Sequence, residues 1–265
     1  MLPAERRRRI AAEVAARPSV KTEELAELFS VSGETIRRDL LRLQGDGLVE
    51  RVHGGATPAE RPRAVEDSYA QRRALNVAGK QAMARAAVSL LRPGDTVILD
   101  VGTSVAEIAR AIPVTWTGRV LTNSLPVGAE LADRPGVEVL VSGGRTRSGD
   151  LALAGGQTVA FFADYYADLA FLGSGGVHPA AGLTDYHSDE VDVRRVMLDH
   201  STRCYAIADA TKLGVIAARH VCPLDRLTGL ISDGTPDEGL AEALATAGVR
   251  LVGPDDTGRA EADAS

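Results

Sequence analysis

The sequence predicts a small helical domain ahead of a larger α/β domain built on a parallel sheet. Three observations predict it. Residues 1–57 carry short amphipathic helices joined by tight turns, then a short strand and a glycine turn. From about residue 75 onward, apolar runs of four to six residues alternate with helical patterns, the signature of a parallel sheet with helices on both faces. Between them, residues 58–72 are rich in Pro and Arg and read as a linker.

The first helix is expected over residues 5–16, with Ile10 and Val14 forming its apolar stripe, and Arg17-Pro18 ending it. Thr22 reads as an N-cap, followed by Glu23 and Glu24 where the helix dipole favours acids. Leu25 and Leu28 are expected to face inward. After Phe29-Ser30-Val31, Ser32 caps a helix over residues 33–44, whose Ile36, Leu40 and Leu43 recur at i, i+4 and i+7. Gly45-Asp46-Gly47 stops it. Residues 48–52 alternate as a strand, and Gly54-Gly55 turns a hairpin.

In the second domain, placed at residues 73–253, helices are expected over 79–91, 104–111, 126–132, 190–200 and 240–247. Strands are expected over 96–100, 119–122, 137–141, 168–172, 203–208, 227–232 and 249–252. Residues 254–265 read as a polar tail.

The net charge of −6 speaks against a simple polybasic nucleic-acid binder, but it is unevenly spread. Residues 1–57 balance at +1, and the remainder holds −7. Cys204 and Cys222 cannot build a secreted disulfide framework and read as buried thiols. No apolar run reaches membrane-spanning length, and Arg6 to Arg9 lead into no signal-peptide core, so a cytoplasmic protein is expected.

Two short helices joined by a tight turn, the second with a polar outer face, form a helix-turn-helix. On that second helix Glu34, Thr35, Arg37, Arg38 and Arg42 lie off the apolar stripe, and Thr35, Arg38 and Arg42 share a face. Arginine pairs with guanine or phosphate, and threonine contacts either. Arg51 and His53 sit on the hairpin, and the Arg6 to Arg9 run offers further phosphate contacts. A helical bundle with a solvated charged face fits the same pattern.

In the second domain, glycine- and hydroxyl-rich clusters follow the expected strand ends. They are Asp100-Val101-Gly102-Thr103-Ser104, Thr122-Asn123-Ser124, Ser142-Gly143-Gly144-Arg145 and Gly173-Ser174-Gly175-Gly176. Such loops converge on one crevice, where helix N-termini favour phosphate. Lys212 follows another strand and adds a point charge. A phosphorylated, polyhydroxylated ligand suits these groups, although glycines that only make turns would look alike. Gly173 to His178 lacks the sixth-position glycine of a dinucleotide fingerprint. No Walker spacing or nucleophile elbow occurs. His178, His187, Asp185 and Asp189 match no zinc spacing and read, with Glu190, as a polar rim. No cofactor, metal or catalytic residue is expected.

Ser32, Thr35-Ile36-Arg37-Arg38-Asp39-Leu40 and the later Arg51-Val52-His53-Gly54-Gly55 closely resemble the DeoR-type winged helix-turn-helix. By that resemblance residues 32–43 are the recognition helix and 22–29 its supporting helix, with Thr22, Ser32, Glu34, Thr35, Arg37, Arg38, Arg42, Arg51 and His53 toward DNA. The strand-end clusters, Gly182-Leu183-Thr184, and Asp209 with Lys212 resemble the DeoR sensor domain, which is similar in fold to ribose-5-phosphate isomerase. The resemblance implies effector contacts at Asp100, Gly102, Thr103, Ser104, Thr122, Asn123, Ser124, Gly143, Gly144, Arg145, Gly173, Ser174, Gly175, Gly176 and Lys212. The isomerase carries a catalytic carboxylate in an Asp-Gly-Ala-Asp-Glu loop, whereas Leu172-Gly173-Ser174-Gly175-Gly176 has none. A proton-transfer enzyme needs such a base, so a binding pocket without the chemistry is expected, with an isomerase-like enzyme as the alternative. The implied protein is a homo-oligomeric (dimeric or tetrameric) repressor of a sugar catabolism operon. Its partners would be double-stranded operator DNA and a phosphorylated sugar.

Overall fold

A computed structural model of the chain describes residues 3–15, 17–45, 49–52, 54–58, 68–147 and 149–256. They fall into two compact units, 1–66 and 67–265.

The first unit runs α1 (Pro3–Ala15), β1 (Val20–Lys21), α2 (Thr22–Phe29), α3 (Gly33–Gly45), β2 (Val49–Val52) and β3 (Gly55–Pro58). The strands form an antiparallel sheet ordered β1-β3-β2. Ile10, Val14, Leu25, Phe29, Ile36, Leu40, Leu43, Val49 and Ala56 close one core. Gly55 is required here: a Cβ would overlap the Val20 carbonyl of the adjacent strand. Two expectations are corrected. Thr22 is not the N-cap of α2 but its first residue, because β1 runs on to Lys21 and the Thr22 N–H donates to the Gly54 carbonyl at 2.9 Å. Leu28 is 56% exposed, because the buried stripe of α2 is Thr22, Leu25 and Phe29. The expected stop at Asp46-Gly47 lies outside the described residues.

The second unit opens with α4 (Tyr69–Ala74) and α5 (Val77–Val88). Helix α4 occupies the end of the stretch expected to be linker, and a capping box made by Ser68 and Gln71 starts it. Then follow β4 (Thr96–Leu99), α6 (Thr103–Ala111), β5 (Gly118–Thr122), α7 (Leu125–Leu131), β6 (Val137–Val141), β7 (Arg145–Thr146), β8 (Leu153–Ala154) and α8 (Gly156–Ala163). After these come β9 (Ala167–Leu172), β10 (Gly176–His178), β11 (Gly182–Asp185), α9 (Ser188–Asp199) and β12 (Ser201–Ile207). The chain goes on through a 3-10 turn (Ala210–Lys212) to β13 (Arg219–Cys222), β14 (Gly229–Ile231), α10 (Glu238–Thr246) and β15 (Arg250–Val252).

Seven strands form one parallel sheet in the order β15-β14-β12-β9-β4-β5-β6. Alternation along each strand feeds two cores. Val97 and Leu99 of β4 pack with α5, α6 and α7, whereas Ile98 packs on the other face with residues of α8, α9 and α10. Trp116, the chain's one tryptophan, is buried in the former and donates to the Arg92 carbonyl at 2.8 Å. A second antiparallel sheet, β10-β11-β13, is an addition to the expected topology. Cys204 and Cys222 are free and buried, and burial pushes their thiols up to about 11 and about 12.

Leu40 is 1% exposed. Leu40→Ala is expected to destabilise the first unit by about 2–5 kcal/mol in urea melts followed by circular dichroism. A loss well below 1 kcal/mol would contradict its place in the core.

Candidate functional sites

On α3 the Ser32 hydroxyl accepts the Thr35 N–H at 3.2 Å, so the expected cap is present. Its oxygen also lies 2.9 Å from Thr35 Oγ1. Glu34, Arg37, Arg38 and Arg42 are exposed and Thr35 is half-buried. Glu34 and Arg37 pair with each other at 3.4 Å. Arg38, Arg42 and the exposed Arg51 of β2 have no ion pair among the described residues, and His53 lies outside those residues. Three arginines of the N-terminal basic run have partners within the unit. Asp39, buried on the inner side of α3, takes Arg6 at 2.7 Å and Arg7 at 3.7 Å, and Arg9 lies over the Phe29 ring. These arginines brace α1 against the α2–α3 pair.

In the second unit the parallel register lines up Phe171, Leu99, Thr122 and Val141 across β9, β4, β5 and β6. The next residues in the last three strands are therefore neighbours: Asp100, Asn123 and Ser142. All three are buried, and Asp100 Oδ1, Asn123 Oδ1 and Ser142 Oγ have no hydrogen-bond partner. Natural proteins rarely leave such atoms unpaired. The row lies at the carboxyl edge of the parallel sheet.

Behind this row lies a buried ionic cluster. The fully buried Arg194 guanidinium of α9 meets Asp100 Oδ2 at 2.5 Å, Asp185 Oδ2 at 2.5 Å and Glu190 Oε2 at 2.9 Å. Asp100 Oδ2 also accepts the Gly173 N–H at 2.9 Å. Arg147 pairs with Glu190 and Asp150. Three carboxylates around it hold the Arg194 charge well above its usual range despite burial. Burial pushes the Glu190 carboxyl up to about 7. Arg194 and Arg147 oppose that shift, and the like charges of Asp185 and Asp100 add to it. Burial would also raise Asp185, but Arg194 and two backbone N–H donors outweigh it and hold that carboxyl below its ordinary value. Among the described residues no group of three or more His, Cys, Asp or Glu could hold a metal ion. No helix there is long and apolar enough to cross a membrane.

Residues 6–61 match the DeoR-like helix-turn-helix domain, and residues 75–234 match the DeoR C terminal sensor domain. The chain belongs to the DeoR family of transcriptional regulators. The HTH-type transcriptional regulator GlpR of Haloferax volcanii is 36% identical over 252 residues, spanning 95% of this chain and 98% of that one. The HTH-type transcriptional repressor CsqR of Escherichia coli is 32% identical, over 91% of this chain and 92% of its own. The glycerol-3-phosphate regulon repressor of Escherichia coli is 29% identical, over 88% and 91%. Ribose 5-phosphate isomerase A of Methanocaldococcus jannaschii is a distant structural neighbour, at 15% identity and TM-score 0.37 over 51% of this chain and 53% of that one. As a DeoR-family member the chain is a DNA-binding regulator and not an enzyme.

Within this DeoR sensor domain the expected contacts divide into two groups. Several hydroxyls are occupied by the protein's own backbone. Thr122 donates to the Leu99 carbonyl at 2.6 Å, Ser174 to the Ile207 carbonyl at 2.7 Å, and Ser124 caps α7 through the Val127 N–H. Gly144, Gly173, Gly175 and Gly176 are packed so closely that a Cβ would collide with protein atoms, so they serve close approach and not an open cradle. Arg145 is exposed and pairs with Asp189 at 2.7 Å. Gly102 and Gly143 have no such crowding, and Gly102, at φ 122°, opens the first turn of α6, where the N–H groups of Thr103 and Ser104 follow. Lys212 donates to the Ser174 carbonyl, and its charge is felt at Asp185. Asp185 and Glu190 are not a polar rim. They are buried, because Arg194 draws them in. Sequence reasoning missed Arg194 and Arg147 and left Ser142 out of the contact set. Glu190 and Arg194, spaced i, i+4, look like an ordinary surface pair.

The raised Glu190 carboxyl has a pH consequence. It protonates near 7 in the folded protein and near 4.5 unfolded, so its stabilising protonation is present at acid pH and is lost as pH rises through that window. Glu190→Gln cannot ionise and keeps it. Denaturant melts are expected to match near pH 4.5 and to favour the variant by about 1–3 kcal/mol at pH 8. Parallel profiles would return the carboxyl to its ordinary value.

Proposed function

We propose that the second unit binds a phosphorylated sugar or polyol whose occupancy changes the affinity of the first unit for operator DNA. The observation that carries the effector is the row of unpartnered buried atoms at Asp100, Asn123 and Ser142. Two of the three are pure acceptors that want hydroxyl donors. The phosphate belongs at the first turn of α6, where Gly102 leaves open space and the N–H groups of Thr103 and Ser104 have the favourable end of the helix dipole. Lys212 supplies the countercharge. Asp100 stays compatible with an anion nearby because Arg194 neutralises it. Gly143 completes the wall beside Ser142.

The first unit reads DNA through Thr35, Arg38 and Arg42 of α3. Arg51 of the wing contacts phosphate, with Ser32, Glu34 and Arg37 setting the helix start. Thr22 supports the turn from inside, its side chain buried. One winged helix covers few base pairs, so the regulator acts as a homo-oligomer on repeated half-sites. It works in the cytoplasm, where its operator lies, and as a repressor. The glycerol-3-phosphate regulon repressor's name gives this reading a precedent in the kind of regulon controlled.

Arg38→Ala is expected to lower operator affinity by about 5- to 150-fold, roughly 1–3 kcal/mol, and to narrow the ratio between operator and random DNA. An unchanged ratio in fluorescence anisotropy would remove Arg38 from base reading. For the effector, a thermal-shift series with D-ribose 5-phosphate, D-fructose 1-phosphate and sn-glycerol 3-phosphate should give at least one compound that raises Tm by several degrees at saturation. Asn123→Ala and Lys212→Ala should each abolish that rise. A full rise in both variants would move the site elsewhere.

A further inference from the structure

A second cluster, separate from the Arg194 network, sits where the turn carrying Lys212 meets the start of α5. Asp233 follows β14, and its two oxygens face opposite ways. Oδ1 accepts the Ala210 N–H at 2.9 Å, at the first residue of the 3-10 turn. Oδ2 accepts the Asn76 side-chain amide at 2.6 Å. Asn76 is the corner residue between α4 and α5 and sits in the left-handed region at φ 48°, a conformation asparagine tolerates better than most residues.

Contacts on both sides leave no slack. A Cβ at Gly79, in the first turn of α5, would overlap the Asp233 carboxylate. A Cβ at Gly234 would lie 2.5 Å from that of Ala210. The turn is tightened from within by Asp209, which accepts the Thr211 N–H at 3.0 Å. On the helix side, the buried Lys80 amine donates to the carbonyls of Arg72 and Leu75 and so ties α4 to α5 across the corner. Burial holds that amine below its ordinary value, against the attraction of Asp209. A displacement of the turn therefore reaches Asn76 through one carboxylate and then moves α4 and the corner as a body.

We infer that Asp233 is a positioning residue that couples the Lys212 turn to the α4–α5 corner, and so carries effector occupancy to the first helix after the DNA-binding unit in the chain. The effector half of this statement rests on the placing of Lys212 in the phosphate site. An anion that draws the Lys212 ammonium from the Ser174 carbonyl shifts the turn by way of Ala210. Asp233 transmits the shift because its other oxygen holds Asn76. By linkage the path runs both ways: whatever loosens the corner loosens the turn.

Reciprocity allows a test with no ligand. In hydrogen–deuterium exchange on the full-length protein, Lys212→Ala is expected to speed exchange at least ten-fold across residues 69–80, as well as locally at 208–214. In an Asp233→Ala background the same change should add nothing at 69–80. Asn76→Asp alone places two carboxylates, both acceptors, face to face and should loosen both segments. Adding Asp233→Asn puts a donor back between them, with donor and acceptor exchanged, and should restore protection at both, a rescue that a merely structural role would not give; this pair also decides the matter if Asp233→Ala does not fold. The inference is overturned if Lys212→Ala loosens only its own turn, if its remote effect survives without Asp233, or if the exchanged pair fails to restore protection. The effector reading fails separately, when none of the three sugar phosphates named above raises the Tm of the wild-type protein.

Discussion

The sensor unit is organised around one buried positive charge. Arg194 is enclosed on α9, and three carboxylates from different parts of the chain close on it: Asp100 at the end of β4, Asp185 at the end of β11, and Glu190 one helical turn earlier. Removing charges from water is costly, and a buried guanidinium stripped of partners is typically destabilised by about 3–5 kcal/mol. The cluster therefore pins the parallel sheet, the small antiparallel sheet and α9 to one another. It also orients Asp100. One carboxylate oxygen is taken by Arg194 and the Gly173 N–H, which leaves the other unpartnered at the sheet edge. The unpartnered oxygen of Asp100 is thus a by-product of how the core charge is neutralised.

Register does the rest. Parallel strands bring residues of equal rank side by side at about 4.8 Å, so three loops more than twenty or nearly twenty residues apart in sequence present Asp100, Asn123 and Ser142 as one row. Neither loop length nor glycine content accounts for that row. The hydrogen-bond pairing of β4, β5 and β6 does. The tightly packed glycines at 173, 175 and 176 act one step away, letting the β9–β10 connection lie against Asp100, Asp185 and Val215 without a side chain in the way.

The sequence was legible wherever local periodicity and packing agree. Ile36, Leu40 and Leu43 announce the buried face of α3, Ser32 announces its cap, and the apolar runs at β4, β9 and β12 announce the central strands. The helix-turn-helix and sensor signatures were legible as family resemblance. Short elements were not: β10, β11 and β13 are three or four residues long, too brief to show a period, and their pairing is set by tertiary contact. Ser68 and Gln71 did carry a capping-box signal for α4, masked by the Pro- and Arg-rich stretch before it. The site was legible as loops and not as atoms. A serine hydroxyl that braces a strand, such as Ser174, and one left unpaired, such as Ser142, are the same letter, and only the fold around them differs. Burial likewise turned Glu190 and Arg194 from a surface pattern into a core charge.

Trp116 gives the two-unit architecture an optical asymmetry. It lies in the core that faces α5, α6 and α7, shielded from water, and the first unit has no tryptophan. Indole emission therefore reports the sensor unit alone, whereas backbone ellipticity reports both. Recorded on one sample, the two signals separate a protein that loses its DNA-reading half first from one that unfolds as a whole, with no label attached.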